Sequence, residues 1–237
     1  MSKARPGRRN RPTHVECQSL EARRLLSAVV ARHLFYDNSY FDQFTAGPGP
    51  SDDAAIAIDK QALLSGEQAS FANYSSYNRG INGIVVDIAR LANPGQLTAN
   101  DFSFAVGNSH DVSEWVDAPA PSSVTVRVGA GVGGSDRVTL IWPDQAIVGK
   151  WLRVTVRATA ATGLAVGDVF YFGNAVGEAG DSPTDAVVSS PDELLARANP
   201  RFPNDPAPID FPYDYNRDGA SNTPPPRRAF SVTEYGR

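Results

Sequence analysis

Between residues 32 and 175 one pattern recurs: apolar side chains at every second position, broken by clusters of Gly, Pro, Asn and Asp. A strand sends successive side chains to opposite faces, so a period of two gives each segment one apolar face and excludes a domain built from helices. Residues 123–128 carry Val124, Val126 and Val128 on one face, and residues 137–142 carry Val138, Leu140 and Trp142. Residues 151–157 set Leu152, Val154 and Val156 against Arg153, Thr155 and Arg157. Phe102, Phe104 and Val106 mark a further strand. Residues 84–88 and 169–172 are more continuously apolar, as central strands covered on both faces are. Turn signals at Asn93-Pro94-Gly95, Ala118-Pro119-Ala120-Pro121 and residues 129–136 separate these segments. The chain is therefore expected to be mainly β: an antiparallel β-sandwich or jelly roll of about eight strands. Residues 53–64 admit a short helix, although Ile56 and Ile58 also fit a strand.

Composition agrees with that reading. Of 237 residues, 41% are hydrophobic and 20% charged, which suits a packed core rather than disorder. Pro (18) and Gly (20) favour many turns over long helices. Cys17 is the only cysteine and precedes the β-rich body, so the body holds together by burial alone or with help from a metal. No run approaches the roughly 18 apolar residues that a membrane-spanning helix needs.

The net charge of −4 conceals an uneven distribution. Residues 1–36 hold Lys3, Arg5, Arg8, Arg9, Arg11, Arg23, Arg24 and Arg32 against Glu16 and Glu21 alone, and the rest of the chain is acidic. A basic head on an acidic body is either a nucleic-acid arm or a targeting segment. The body has no basic stripe and would repel phosphate, which excludes nucleic acid. Residues 25–31 form a short apolar run behind the basic residues, with small side chains at Val29-Val30-Ala31. The run is short for an ordinary secretory signal, and a tail leading into a first strand is the alternative. Residues 20–28, Leu20-Glu21-Ala22-Arg23-Arg24-Leu25-Leu26-Ser27-Ala28, resemble the N-terminal LEPR-x-LL signature of exported planctomycete proteins, with Ala22 where that signature has proline. The resemblance implies export to the bacterial cell surface or beyond.

Strings suggestive of catalysis do not hold up in context. Gly129-Ala130-Gly131-Val132-Gly133-Gly134 spells G-x-G-x-x-G, but a dinucleotide site needs that loop between a strand and a helix, and here it joins two strands. His33 and His110 are the only histidines of the body, and no G-x-S-x-G elbow accompanies them. Too few His and Cys are present for zinc. The expectation is a protein that is not an enzyme. Tyr36, Tyr40, Phe41, Tyr74, Tyr77 and Trp115 lie in turn-like regions, where they either stack on sugar rings or plug the ends of the core.

After Gly177 the composition shifts. Asp214-Tyr215-Asn216-Arg217-Asp218-Gly219 fits the D-x-N-x-D-G opening of an EF-hand-like calcium loop. Calcium takes several hard oxygens at about 2.4 Å, and positions 1, 3 and 5 converge on it only if the chain turns sharply, as glycine at position 6 permits. Asp214, Asn216 and Asp218 would supply side-chain oxygens, Ala220 its carbonyl, and Asn222 a ligand directly or through water. A weaker copy counts back from Asp192 at position 12, giving Asp181 at 1, Asp185 at 5, Val187 at 7 and Ser189 at 9; Pro183 at 3 and Ala186 at 6 depart from it. Ser190, Pro191 and Glu193 then read as N-cap, N1 and N3 of a helix stopped by Asn199-Pro200.

Paired loops of this kind, each with a helix, resemble the dockerin type I module, and the β-rich segment with its Arg79-Gly80-Ile81-Asn82-Gly83 and Asp168-Val169-Phe170-Tyr171-Phe172-Gly173 resembles a planctomycete module that ends in such a pair. The resemblance implies calcium (Ca2+) as the ordering ion and a cohesin-like or cell-envelope protein as partner. The second repeat departs at Thr223-Pro224-Pro225-Pro226: Pro225 stands at position 12 and cannot ligate, and the prolines bar a helix. Calcium affinity is expected to be weak. The expected cause is a frameshift that replaced the last helix, which resequencing the end of the gene tests; a confirmed reading frame would overturn it.

The expected organisation is a basic export signal or disordered head at 1–31, a β-sandwich at 32–175, a dockerin-like pair at 176–222 with its second half incomplete, and a disordered tail at 223–237. The expected function is a non-enzymatic exported protein using calcium-dependent attachment; the alternative is a carbohydrate-binding β-sandwich associated with polysaccharide degradation.

Overall fold

A computed structural model of the chain describes residues 26–182 and 185–221. Residues 1–25, which hold most of the basic head and of its signature, together with Pro183, Asn222 and the proline-rich end, lie outside the described residues. Among the described residues ten strands and one α-helix form. The strands are β1 (Ala28–Phe35), β2 (Leu63–Leu64), β3 (Tyr74–Ser75), β4 (Gly83–Ala89), β5 (Phe102–Gly107), β6 (Val116–Asp117), β7 (Ser123–Arg127), β8 (Asp136–Ile141), β9 (Trp151–Val156) and β10 (Asp168–Asn174); the helix is α1 (Ser190–Ala198). The chain is mainly β, and its strand pairs are antiparallel except for β3 on β10. Among the described residues no helix is long and apolar enough to cross a membrane.

One sheet has the order β1-β4-β8-β7 and the other β2-β10-β9-β5-β6, with β3 beside β2 on the outer edge of β10. The period-two faces meet in one core. Leu34, Ile84, Val86, Ile88, Val138 and Leu140 of the first sheet pack with Phe102, Phe104, Val106, Leu152, Val154, Val156, Phe170 and Phe172 of the second. Val124 and Val126 flank that core, but β7 ends at Arg127 and leaves Val128 74% exposed. The continuous apolar run of β4 has the cause expected of it. Val85, on its outer face, is covered with Phe35 and Ile141 by a 3-10 turn, Pro50–Ala55. That turn and β2 stand where a helix over residues 53–64 was one option. Ile56 bridges to Phe35 and Ile58 is 72% exposed, so this stretch has no apolar stripe for a helix to bury. β1 begins at Ala28 and pairs with β4, so the fold starts inside the stretch assigned to the head.

Arginines and aspartates on the outer face of the first sheet form a network. Arg137 donates to Asp87 from Nε (2.8 Å) and Nη2 (2.7 Å) and to Asp53 from Nη1 (2.7 Å). Arg127 also pairs with Asp53. The glycine loop between β7 and β8 closes on this network: Gly129, Gly133 and Gly134 take positive φ, and the Val132 N–H donates to Asp87 at 2.9 Å. Burial pushes the Asp87 carboxyl up, but the hydrogen bonds from Arg137 and Val132, with His33 3.8 Å away, outweigh burial and hold it well below the usual range.

Helix α1 starts one residue earlier than the sequence suggested. Ser189 is the N-cap and Asp192 the N3 residue, because the Asp192 carboxylate receives both the Ser189 N–H (2.7 Å) and its hydroxyl (3.1 Å). Asn199 caps the other end, where the helix was expected to stop. Replacing Ser189 with alanine removes the hydroxyl contact and is expected to cost about 1 kcal/mol in urea unfolding.

Candidate metal centre

The segment after β10 is bound closely to the body. The Ala175 N–H donates to Ser75 O and the Gly177 N–H to Ser76 O, which carries Glu178 into the interior. Ala186 is buried with Trp151, Tyr74, Leu63 and Ala175 on the outer side of the second sheet. Gly180 has φ +79°, and a Cβ there would stand 2.7 Å from the Phe71 ring, so the chain turns there only as glycine.

This path brings three carboxylates together. One oxygen each of Glu178, Asp181 and Asp192 lies within 4.8 Å of the others. Glu178 and Asp192 are fully buried and Asp181 is exposed. Asp192 is held on both sides, by the Ala179 N–H at 2.9 Å and by the Ser189 cap. Glu178 accepts the Gly180 N–H through Oε1 at 2.8 Å, while its Oε2 is sealed from solvent with no hydrogen-bond partner among the described residues. The hydroxyls of Tyr74 and Tyr215 are likewise buried without partners there. Burial pushes Glu178 up to about 7; the Gly180 N–H opposes this, and the charges of Asp192 and Asp181 add to it. Oxygens around one calcium ion at about 2.4 Å lie no more than about 4.8 Å apart, so the three carboxylates fit a single ion.

Of the residues expected in this first loop, Asp181 and Asp192 are present in the group. Asp185 is not: its oxygens accept the Ser182 hydroxyl (2.9 Å) and the Val187 N–H (3.2 Å) in a local turn. Val187 is exposed, and Ser189 is occupied as the helix cap. Glu178 was not anticipated. The twelve-residue count ran back from Asp192 and stopped at Asp181, so an acid preceding that position was never considered.

The second loop curls as its spacing predicts. Asp214 is buried and accepts the N–H groups of Asp218 (3.2 Å) and Gly219 (3.0 Å). Asn216 donates to Asp218 at 2.7 Å, and Asp218 accepts the Ala220 N–H at 2.9 Å. Gly219 has φ +82°, as position 6 requires. The three side chains are thus gathered, but they are occupied with one another and with the loop backbone. Ala220 contributes an N–H, and Asn222 lies outside the described residues. Burial raises Asp214 to about 6, against the nearby Arg217 charge.

Arg217, at a position of the loop to which no role was assigned, joins loop and body. Its buried guanidinium donates to Phe211 O (2.8 Å), Asp214 O (2.6 Å), the Tyr36 hydroxyl (3.2 Å) and the Ser76 hydroxyl (3.3 Å). It also lies 4.6 Å from the centre of the Tyr36 ring. The Tyr40 N–H donates to Arg217 O and the Asn78 N–H to Tyr215 O.

The turn aromatics divide. Tyr36, Tyr74 and Tyr77 are buried, Phe41 is half-buried, and Trp115 donates its indole N–H to Ser109 O at 2.9 Å. Tyr40 remains exposed, edge-on to Phe44. Comparison with protein families, with curated proteins and with solved structures returns no match for the chain.

Proposed function

We propose that this is a non-enzymatic exported protein of the bacterial surface or exterior, a β-sandwich whose C-terminal segment is a dockerin-like, calcium-ordered attachment module. The observation that carries this reading is the Glu178 Oε2 atom, sealed from solvent without a hydrogen-bond partner among the described residues, beside Asp181 and Asp192. A buried carboxylate oxygen is costly unless it is protonated or bound to a cation. A calcium ion would be held by Glu178, Asp181 and Asp192 and would fix the start of α1 relative to β10. The outer side of that helix supports attachment: Leu194 is 65% exposed, with exposed Phe202 following it in the chain. A cohesin-like or other envelope protein with an apolar patch is the partner class.

Calorimetric titration of CaCl2 into chelator-stripped protein tests the ion. Glu178→Gln is expected to lose one bound calcium while keeping the Gly180 contact; an unchanged stoichiometry would sink the proposal. Capture of envelope proteins on the immobilised chain, with and without chelator, tests the attachment. Capture should need calcium and fall with Leu194→Asp. A second reading, binding of polysaccharide, rests on exposed Tyr40 and Phe44, and retardation in polysaccharide gels that Tyr40→Ala removes would support it.

A further inference from the structure

The turn after β1 gathers a second set of acids. Asp42 accepts the Asn38 N–H (2.6 Å) and the Ser39 N–H (2.8 Å), Asp37 accepts the Gly47 N–H (3.1 Å), and Asp52 accepts the Gly49 N–H (2.9 Å). All three side chains are buried, and one oxygen of each lies within 4.8 Å of the others. Asp52 is fully buried, and its Oδ1 has no hydrogen-bond partner among the described residues. The neighbouring residue is handled differently: Asp53 takes both Arg127 and Arg137. Arg79, which donates to Asn38 O at 3.0 Å, is paired with Asp144 at 3.1 Å. The arginines around the group are therefore engaged with other carboxylates. Burial raises all three carboxyls, Asp37 to about 6.

We propose that Asp37, Asp42 and Asp52 form a calcium site in the body of the protein, separate from the one at Glu178. The donors are all hard carboxylate oxygens with no His or Cys among them, which selects calcium over zinc or copper. Their spread matches oxygens around one ion at about 2.4 Å. Three carboxylates against one divalent cation leave a single negative charge, in place of three buried like charges. The site has a structural consequence. The loop that carries Asp37 and Asp42 also carries Tyr40, whose N–H donates to Arg217 O and whose ring lies against Gly219. Calcium here holds the surface on which the second C-terminal loop rests.

The test uses the full chain stripped with chelator and titrated with CaCl2, as wild type, Asp52→Asn, Asp37→Asn and Glu178→Gln. Asparagine at 52 keeps an acceptor for Gly49 and removes a buried charge, so Asp52→Asn should melt no lower than wild type in chelator. Each aspartate variant should bind one calcium fewer than wild type, and Glu178→Gln should leave that ion in place. At calcium about a hundredfold above the dissociation constant, this site should raise the wild-type Tm by about 5–10 °C, an increment absent from Asp52→Asn. Equal stoichiometry in wild type and both aspartate variants overturns the proposal whatever Glu178→Gln does, and loss of an ion in Glu178→Gln alone leaves the C-terminal reading standing without this one.

Discussion

Replacing Arg217 with alanine destabilises the protein by about 3–5 kcal/mol in urea unfolding. The guanidinium is buried, and it bridges Phe211 and Asp214 of its own loop to Tyr36 and Ser76 of the body. Alanine takes a charged donor away from those two carbonyls and two hydroxyls, leaving the carbonyls only long backbone contacts, and opens a cavity against the Tyr36 ring. It also removes the positive charge that opposes the upward shift of Asp214. The loss should therefore be larger at neutral pH than at pH 5. Arg217→Lys restores charge but not the forked geometry, so it should recover only part of the stability. A variant within about 0.5 kcal/mol of wild type would show that the loop does not dock on the body through this residue.

The second large effect is a fall in stability with rising pH in the absence of calcium. Burial raises Glu178 to about 7 from an ordinary 4.5, and Asp37 and Asp214 to about 6 from 3.8. A carboxyl with a raised folded value binds its proton more tightly in the native state. Its contribution is greatest below the ordinary value and is lost as pH climbs to the folded one. The window is therefore about pH 4 to 7, and each group contributes at most roughly 3 kcal/mol across it. Asp87 has the opposite shift, and its stabilisation is lost only at pH below this window. In chelator, Tm should drop by roughly 10 °C between pH 4.5 and 7.5. With CaCl2 the drop should shrink, because the ion replaces the protons. A Tm that rises across this range in chelator would contradict the account.

The strands were legible wherever the period-two pattern was long enough to read. β5, β8 and β9 lie within a residue of their expected places, and the continuous apolar runs of β4 and β10 are central strands in both sheets. β2, β3 and β6 have two residues each, too few to show any period. The 3-10 turn over Val85 was missed because its acids are held by tertiary contacts that no apolar pattern marks: exposed Asp53 by two arginines, and buried Asp52 beside Asp37 and Asp42. Spacing rules find ligands close together in the chain. They singled out Asp181, Asp192 and Asp214 as candidates, but not Glu178, which the structure places beside the first two, nor the cluster of Asp37, Asp42 and Asp52. Arg217 resembles a solvated loop charge in sequence, and only the tertiary structure places Tyr36 and Ser76 against it.

Hydrogen–deuterium exchange over residues 176–221, with and without CaCl2, tests the central claim most directly. Calcium held by Glu178, Asp181 and Asp192 should slow exchange at the Ala179 and Gly180 amides and through the first turn of α1, and Glu178→Gln should abolish that protection. Exchange in this segment that is identical in calcium and in chelator would contradict the assignment of a calcium-ordered module to this end of the chain.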